Sequence, residues 1–475
     1  MEIFRAYDIR GQYPKDINDK IVYIVARILV RTFSAKNLVI GRDVSLASPK
    51  IHKALIKGAL DQGADVTNIG IAGTDVVYFT AGHYKFDVGL EVTASHSAGY
   101  LSGIKIIGPR ASPFGSGFGM EKLKEDYLNY KEVNPDRKGK LMQGDIWRDF
   151  ISQAVSFIDV KKIKPLKVVV DASNAVGSLE IDNLEKYLPQ IEFIKLNWEL
   201  DGHYPGHQPN PFLKENREQL VNEVKKVGAD LGIAFDGDAD RIFFVDENGD
   251  YIFGVYINGL IAEKMCQENP GRVILYDIRA TRYIKEKIIK AGGIPKVELV
   301  GHAFFKNRMR KENALFGGEC SGHIYYNFGD YMVENSLIAF LQILQIISES
   351  GKSLGELTRE GRLKYPVSGE CNFVLPGFSE TDDLTPEAMG VMNKILEKVK
   401  EKYSDGEISD FDTLTIHYPD WNFNLRPSAN DPLLRFTAET TSSDLLLAKQ
   451  KEVFELLKAE GCQFLNDTGV ELLRR

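Results

Sequence analysis

Three times along this chain an apolar run that reads as a strand ends in a loop carrying an aspartate. The runs are Leu38-Val-Ile-Gly-Arg-Asp43, Val168-Val-Val-Asp171 and Val273-Ile-Leu-Tyr-Asp277. A helical pattern follows each, clearest in the first, where Pro49 suits an early helical position and Ile51, Leu55 and Ala59 recur every four residues. A second strand then runs straight into an unusual polar loop. Asp87-Val-Gly-Leu-Glu-Val92 leads into Thr93-Ala-Ser-His96, Asp230-Leu-Gly-Ile-Ala-Phe235 into Asp236-Gly-Asp-Ala-Asp-Arg241, and Ala314-Leu-Phe316 into Gly317-Gly-Glu-Cys-Ser-Gly-His323. Alternating strand and helix predicts α/β layers with mainly parallel sheets. Ligands bind beyond the carboxyl ends of the strands in such sheets, so three similar domains would turn their loops into one composite cleft.

The last hundred residues follow another pattern. Thr385-Pro386-Glu387 opens a helix with apolar positions Met389, Met392, Leu396 and Val399. Strand-like Thr413–His417 and Leu433–Thr437 flank a fourth loop, Arg426-Pro-Ser-Ala-Asn-Asp-Pro432, and a closing helix over Leu445–Leu457 has Ser443 or Asp444 as its expected N-cap. The expected fold is therefore α/β: three similar mixed α/β domains plus a C-terminal α+β domain around a central cleft. Boundaries fall near residues 150, 255 and 368. The length of 475 residues fits three or four domains.

Composition narrows the partners. A net charge of −8 argues against a general nucleic-acid binder but leaves room for a local basic pocket. No apolar stretch is long enough to span a bilayer, and no signal peptide opens the chain, so a cytoplasmic location is expected. Cys266, Cys320, Cys371 and Cys462 are scattered without metal-ligand spacing and read as reduced thiols.

The aspartate loop carries the strongest chemical signal. Asp236, Asp238 and Asp240 offer hard oxygen ligands at alternate positions, which suits Mg²⁺ shared with a phosphate oxygen. Arg241 follows and can hold a phosphoryl oxygen. Glu247 falls at the twelfth position of a calcium-loop register, but Arg241 stands where that loop needs Gly and strands flank it. A solvated acidic turn is the plain alternative, and the apolar flanks disfavour it. Ser95, beside His96 and upstream of Lys105, is a candidate nucleophile that gains its weight from the metal loop, because Mg²⁺ and serine together suggest phosphoryl transfer. Glu319, Ser321 and His323 stand at alternate positions and, if extended, share one side that suits sugar hydroxyls. Arg426, Ser428, Asn430 and Arg435 surround a turn and suit a phosphate.

With these four loops in this order, the chain resembles the α-D-phosphohexomutase superfamily over nearly its full length. The opening Phe4-Arg-Ala-Tyr-Asp-Ile-Arg-Gly11 and Val300-Gly-His-Ala-Phe304 are similar to its phosphomannomutase/phosphoglucomutase branch. The resemblance implies a phosphoserine domain over 1–150, a Mg²⁺-binding domain over 151–255, a sugar-binding domain over 256–367 and a phosphate-binding domain over 368–475. Ser95 would be the phosphoserine, Asp236, Asp238 and Asp240 the Mg²⁺ ligands together with it, and Arg241 the support of the metal loop. Arg10 and Lys105 would lie near the transferring phosphoryl group, Lys105 as a candidate proton shuttle. Glu319 and Ser321 would contact sugar hydroxyls, with His323 nearby and Tyr7 and His302 on the substrate side. Arg426, Ser428, Asn430, Arg435 and the backbone at Ala429 would hold the non-reacting phosphate, and Arg279 stands where the branch carries a phosphate-contacting lysine. The implied activity is reversible interconversion of hexose 1-phosphate and hexose 6-phosphate, of mannose or glucose, through a hexose 1,6-bisphosphate that also primes the enzyme. The implied form is a monomer or homodimer, free of membrane and nucleic acid. A phosphoglucosamine mutase and a noncatalytic phosphosugar-binding relative are the alternatives. Ser97-Ala98 replaces the branch's Asn-Pro, Asn430-Asp431 its Thr-Glu, and Cys320 its Met or Gln.

Overall fold

The computed structural model describes residues 3–97, 101–380, 382, 384–409, 411–428 and 431–473. Four sheets organise it. The strand pairs read as a repeat do form, three times, with one topology. Strand Asn37–Arg42 lies parallel to both Asp65–Ile71 and Val88–Thr93, and Leu101–Gly108 returns antiparallel to the latter. In the second sheet Leu166–Asp171 lies between Ile191–Leu196 and Leu231–Phe235, with Ile242–Asp246 returning antiparallel. In the third, Val273–Asp277 lies between Ile294–Glu298 and Phe316–Gly318, with Ile324–Asn327 returning antiparallel. The sheets are therefore mixed, and each polar loop links a parallel strand to its antiparallel return.

The aspartate that ends each first strand does the same local work. Asp43, Asp171 and Asp277 each accept the backbone N–H two residues on, from Ser45, Ser173 and Arg279, at 2.9 Å. Such an Asx turn redirects the chain at the carboxyl end of the strand and gives a backbone donor its partner. In two of the repeats the other carboxylate oxygen reaches the neighbouring polar loop: Asp43 accepts from Ala94 N at 2.7 Å and Asp277 from Cys320 N at 2.6 Å. These carboxylates fix the loops to the scaffold.

The fourth sheet is wholly antiparallel, in the order Glu407–Ser409, Leu414–His417, Trp421–Pro427, Leu433–Thr440, Cys371–Val374, Gln463–Asp467. Two details of the C-terminal reading change. Ser442, not Ser443 or Asp444, caps the helix Ser443–Ala459, because its side chain accepts from Leu445 N. Met389 is exposed, since helix Pro386–Lys402 turns Ala388, Met392, Ile395, Leu396 and Val399 inward. One apolar cluster runs through the first three sheets, and the first domain and the fourth each have a further cluster of their own. Among the described residues no helix is long and apolar enough to cross a membrane.

Candidate active site

Strand Val88–Thr93 is buried throughout and delivers Ser95 at its end. Thr93 Oγ1 accepts the Ser95 N–H at 2.6 Å. Ser95 adopts a left-handed backbone (φ 53°), as does Ala239 (φ 55°) in the opposite loop. Each costs on the order of 1 kcal/mol for a residue with a Cβ, so the surrounding packing holds both in place.

The aspartate loop docks directly on the serine loop. A Cβ built on Gly237 would come 2.2 Å from the Ser95 carbonyl oxygen, so only glycine permits this approach. Asp238 O accepts from Thr74 N at 2.9 Å, and Thr74 Oγ1 donates to Asp238 Oδ2 at 2.6 Å. Lys105 Nζ donates to Asp238 Oδ2 at 2.7 Å and also to Asp240 Oδ2. Arg241 Nε donates to Asp236 Oδ2 at 2.8 Å, while its NH2 lies 3.4 Å from Ser95 Oγ and donates to His96 Nδ1. Arg10, held by Asp8 at 2.6 Å, reaches Ser97 Oγ at 3.4 Å. Ala98 lies outside the described residues.

The three aspartates offer ligand atoms within 4.8 Å of one another, all buried. Asp238 Oδ1 and Asp240 Oδ1 have no hydrogen-bond partner among the described residues. Buried carboxylate oxygens without donors are costly unless a cation meets them, so this donor set fits Mg²⁺. Burial pushes Asp236 up to about 8, against the pull of Arg241 and with the help of its like-charged neighbours Asp240 and Asp238. Burial alone would lower Lys105, but Asp238 and Asp240 outweigh it and raise the group, so it sits here as a fixed positive charge. Burial, with Arg241 next, holds both His96 and His323 well below the usual imidazole value, hence neutral.

The third loop departs from expectation. Glu319, Ser321 and His323 do not share one extended face, because residues 319–323 turn between paired Gly318 and Ile324, with Gly322 at φ 95°. Gly322 N donates to Glu319 O at 3.2 Å and Glu319 N to His323 O at 2.9 Å. His323 turns toward the aspartate loop, whereas Glu319 and Ser321 both approach Arg279, whose NH2 lies 3.7 Å from Glu319 Oε2. His323 Nδ1 stands 3.7 Å from Asp240 Oδ1. Glu319 accepts from Gly301 N at 3.1 Å and from Tyr325 OH. Ser321 Oγ accepts from Arg279 NH2 at 3.1 Å. Burial raises Glu319 to about 7, with Arg279 opposing. Tyr7 OH donates to Val300 O at 3.4 Å, and its ring lies 5.5 Å from that of His302, which in turn lies 6.5 Å from that of His323.

The fourth loop supplies a basic wall. Arg426 and Arg435 are register partners on neighbouring strands, and Arg435 NH2 donates to Ser428 Oγ at 3.1 Å. Ala429 and Asn430 lie outside the described residues. Arg279, Arg426 and Arg435 all meet Glu370, at 3.3, 2.9 and 3.6 Å. Arg279 thus joins the sugar-facing loop to the basic wall. The sequence reading missed Glu370 and Thr74. Neither belongs to a motif, and each acts only through residues distant in the chain.

The sequence matches "Phosphoglucomutase/phosphomannomutase, alpha/beta/alpha domain I" over residues 1–134, domain II over 146–249 and domain III over 248–365. A phosphomannomutase of Escherichia coli is 34% identical over 465 residues, covering 96% of this chain and 99% of that protein. A Xanthomonas campestris protein described as "Phosphohexose mutases" is 36% identical over 457 residues, with 96% and 99% covered. The crystal structure of a phosphoglucomutase/phosphomannomutase family protein from Burkholderia thailandensis superposes with a TM-score of 0.82 at 27% identity, covering 97% of this chain and 98% of that one. With three consecutive domains matched and relatives aligned almost end to end, the chain belongs to the phosphoglucomutase/phosphomannomutase family of hexose phosphate mutases.

Proposed function

We propose that the chain interconverts the 1-phosphates and 6-phosphates of mannose or glucose, with Ser95 as the phosphoryl carrier. The observation that carries this reading is the interlocked pair of loops. They bring the Ser95 hydroxyl, Arg241 and three buried aspartates together, while a separate wall of guanidinium groups lies on another domain. One end of a phosphorylated hexose would react at Ser95 while the other is held at Arg426, Ser428, Asn430, Ala429 N and Arg435.

In the forward half, the P–O bond to Ser95 breaks as a P–O bond to the sugar hydroxyl oxygen forms, and the hydroxyl's proton ends on the freed Ser95 oxygen. In the return half the other phosphate passes to Ser95, which regenerates the phosphoserine. Positioning and charge stabilisation supply most of the rate in such transfers. Mg²⁺ held by Asp236, Asp238 and Asp240 would neutralise charge on the phosphoryl oxygens. Arg241 and Lys105 add fixed positive charge. Lys105 can act as a proton shuttle only after its Nζ gives up a carboxylate. Arg10 steadies the serine loop through Ser97. Glu319 and Ser321 receive the sugar hydroxyls, with Tyr7, His302 and His323 around them and Arg279 behind.

The division of labour follows domains over 1–150, 151–255, 256–367 and 368–475. The fourth would close over bound sugar and keep water from the phosphoserine. The chain would act in the cytoplasm as a monomer or homodimer; buried, unbridged cysteines suit the reducing compartment.

The test is an assay of mannose, glucose and glucosamine 1-phosphates with Mg²⁺ and a hexose 1,6-bisphosphate primer. Turnover of the mannose or glucose compound is expected. Turnover of the glucosamine compound alone would reassign the substrate, and none at all by primed, folded protein would point to a noncatalytic binder.

A further inference from the structure

The basic wall contains a charge that opposes its apparent purpose. Arg426 and Arg435 face each other across an antiparallel strand pair, and like charges in that position repel. Arg279 arrives at the same point from the third sheet. One carboxylate serves all three. Glu370 Oε2 accepts from Arg426 NH2 at 2.9 Å and from Arg279 NH1 at 3.3 Å, and Oε1 lies 3.6 Å from Arg435 NH1.

Glu370 is 2% exposed and stands just before strand Cys371–Val374, where the chain enters the C-terminal domain. Its backbone is tied on both sides to one residue: its N–H donates to Thr468 Oγ1 and its carbonyl accepts from Thr468 N, each at 3.1 Å. The carboxylate is thus anchored among the guanidinium groups. It does not use all their donors. Arg426 Nε and Arg435 Nε are buried with no partner among the described residues. Guanidinium carries five donors, so an anion can be gripped beside Glu370.

We propose that Glu370 is a positioning residue whose charge also weakens the grip on a phosphate dianion, enough for that end of the sugar to leave and the other end to take its place. The proposal rests on the mutase reading above, in which the two phosphates of one bisphosphate occupy the grip in turn. Binding that is equally strong in every state adds nothing to turnover and slows release. Arg279 is also paired with Asp277 at 2.6 Å and Arg435 lies 3.7 Å from Asp431, but Glu370 is the carboxylate shared by all three, and without it the guanidinium groups would hold the dianion through the step at which it must exchange. Glu370 both aligns them and competes for them.

Glu370→Gln keeps the shape and removes the charge. Titration of inorganic phosphate and of glucose 1-phosphate into the full chain is expected to show binding about tenfold tighter than wild type, by loss of one nearby negative charge in a buried site. In steady state KM and kcat should both fall, with release now limiting. Glu370→Asp, which keeps a charge but draws it back, should tighten binding only about two- to threefold and restore most of kcat. It also decides the matter if the Gln variant does not fold. Weaker binding in both variants would make Glu370 an aligning residue only, and unchanged binding would deny it any part in the grip. Either result overturns the proposal. The titrations need no turnover, so a wild-type protein inactive on every hexose phosphate would sink the mutase reading while Glu370's effect on the grip is still measured.

Discussion

The first three domains and the fourth are joined by different forces. Apolar side chains from one face of the first sheet merge with those of the second and third in one cluster, while the other side of the first sheet has a cluster of its own. The aspartate and Glu319 loops are set on the shared cluster, and the serine domain is locked to it through Thr74, Lys105 and the close approach of Gly237 to Ser95; packed interiors transmit strain instead of absorbing it. The fourth domain has its own apolar cluster and, among the described residues, adds only Val470 to the shared one, while a set of polar contacts ties it to the others. Glu439 accepts from the backbone N–H groups of Thr281, Arg282 and Tyr283, at the N-terminus of helix Arg282–Lys290. Arg282 reaches the carbonyls of Tyr418 and Pro419, Arg217 that of Thr468, and Arg279 the carboxylate of Glu370. Apolar burial fixes geometry, whereas polar docking of this kind allows relative motion. On the proposed reading the chemistry would sit on the fixed part and the phosphate grip on the movable one.

This contrast ranks the expected effects. Removing Mg²⁺ with a chelator should lower turnover by at least about 10³-fold, restored on adding the ion back, because it strips charge stabilisation from the fixed part. A metal-independent rate would break the assignment of Asp236, Asp238 and Asp240. Arg426→Ala should act on binding: KM rises roughly 10- to 100-fold with a smaller change in kcat, the usual cost of a charged hydrogen bond. A loss confined to kcat would place the grip's role in the chemical step instead.

Much of this contrast was legible from residues alone. Apolar runs with a fixed Asp ending exposed the repeat, and alternate carboxylates exposed the metal loop, because both are local patterns. Glu370 was hidden for the opposite reason. Its partners are Arg279, Arg426 and Arg435, far off in sequence, and Ser-Gly-Glu-Cys has no chemical signature of its own. The Glu319 loop misled because alternate positions share a face only in an extended strand, and the hairpin between Gly318 and Ile324 forces a turn. Met389 misled because it fits the helical period at one end of a helix whose apolar face runs through Ala388 and Met392.

A smaller effect tests the fourth domain by pH. Burial alone would raise the Glu370 carboxyl, but Arg435, Arg426 and Arg279 outweigh it and hold it at about 2. An ordinary glutamate titrates near about 4.3, so the pairing contributes fully above that value and is lost as pH falls toward about 2. Hydrogen exchange beyond residue 368 should rise over this window before exchange in the first three sheets does, and Glu370→Gln should abolish the difference. Simultaneous loss of protection everywhere would mean the four domains unfold as one.

The central claim is that Ser95 carries the phosphoryl group between the two ends of the sugar. Incubating the Mg²⁺-loaded protein with hexose 1,6-bisphosphate labelled in both phosphates, then mapping the label by peptide, tests it directly. The account predicts label on Ser95, its transfer to unlabelled hexose 1-phosphate as bisphosphate, and neither event in Ser95→Ala. Label on another residue, or normal turnover by Ser95→Ala, would contradict it.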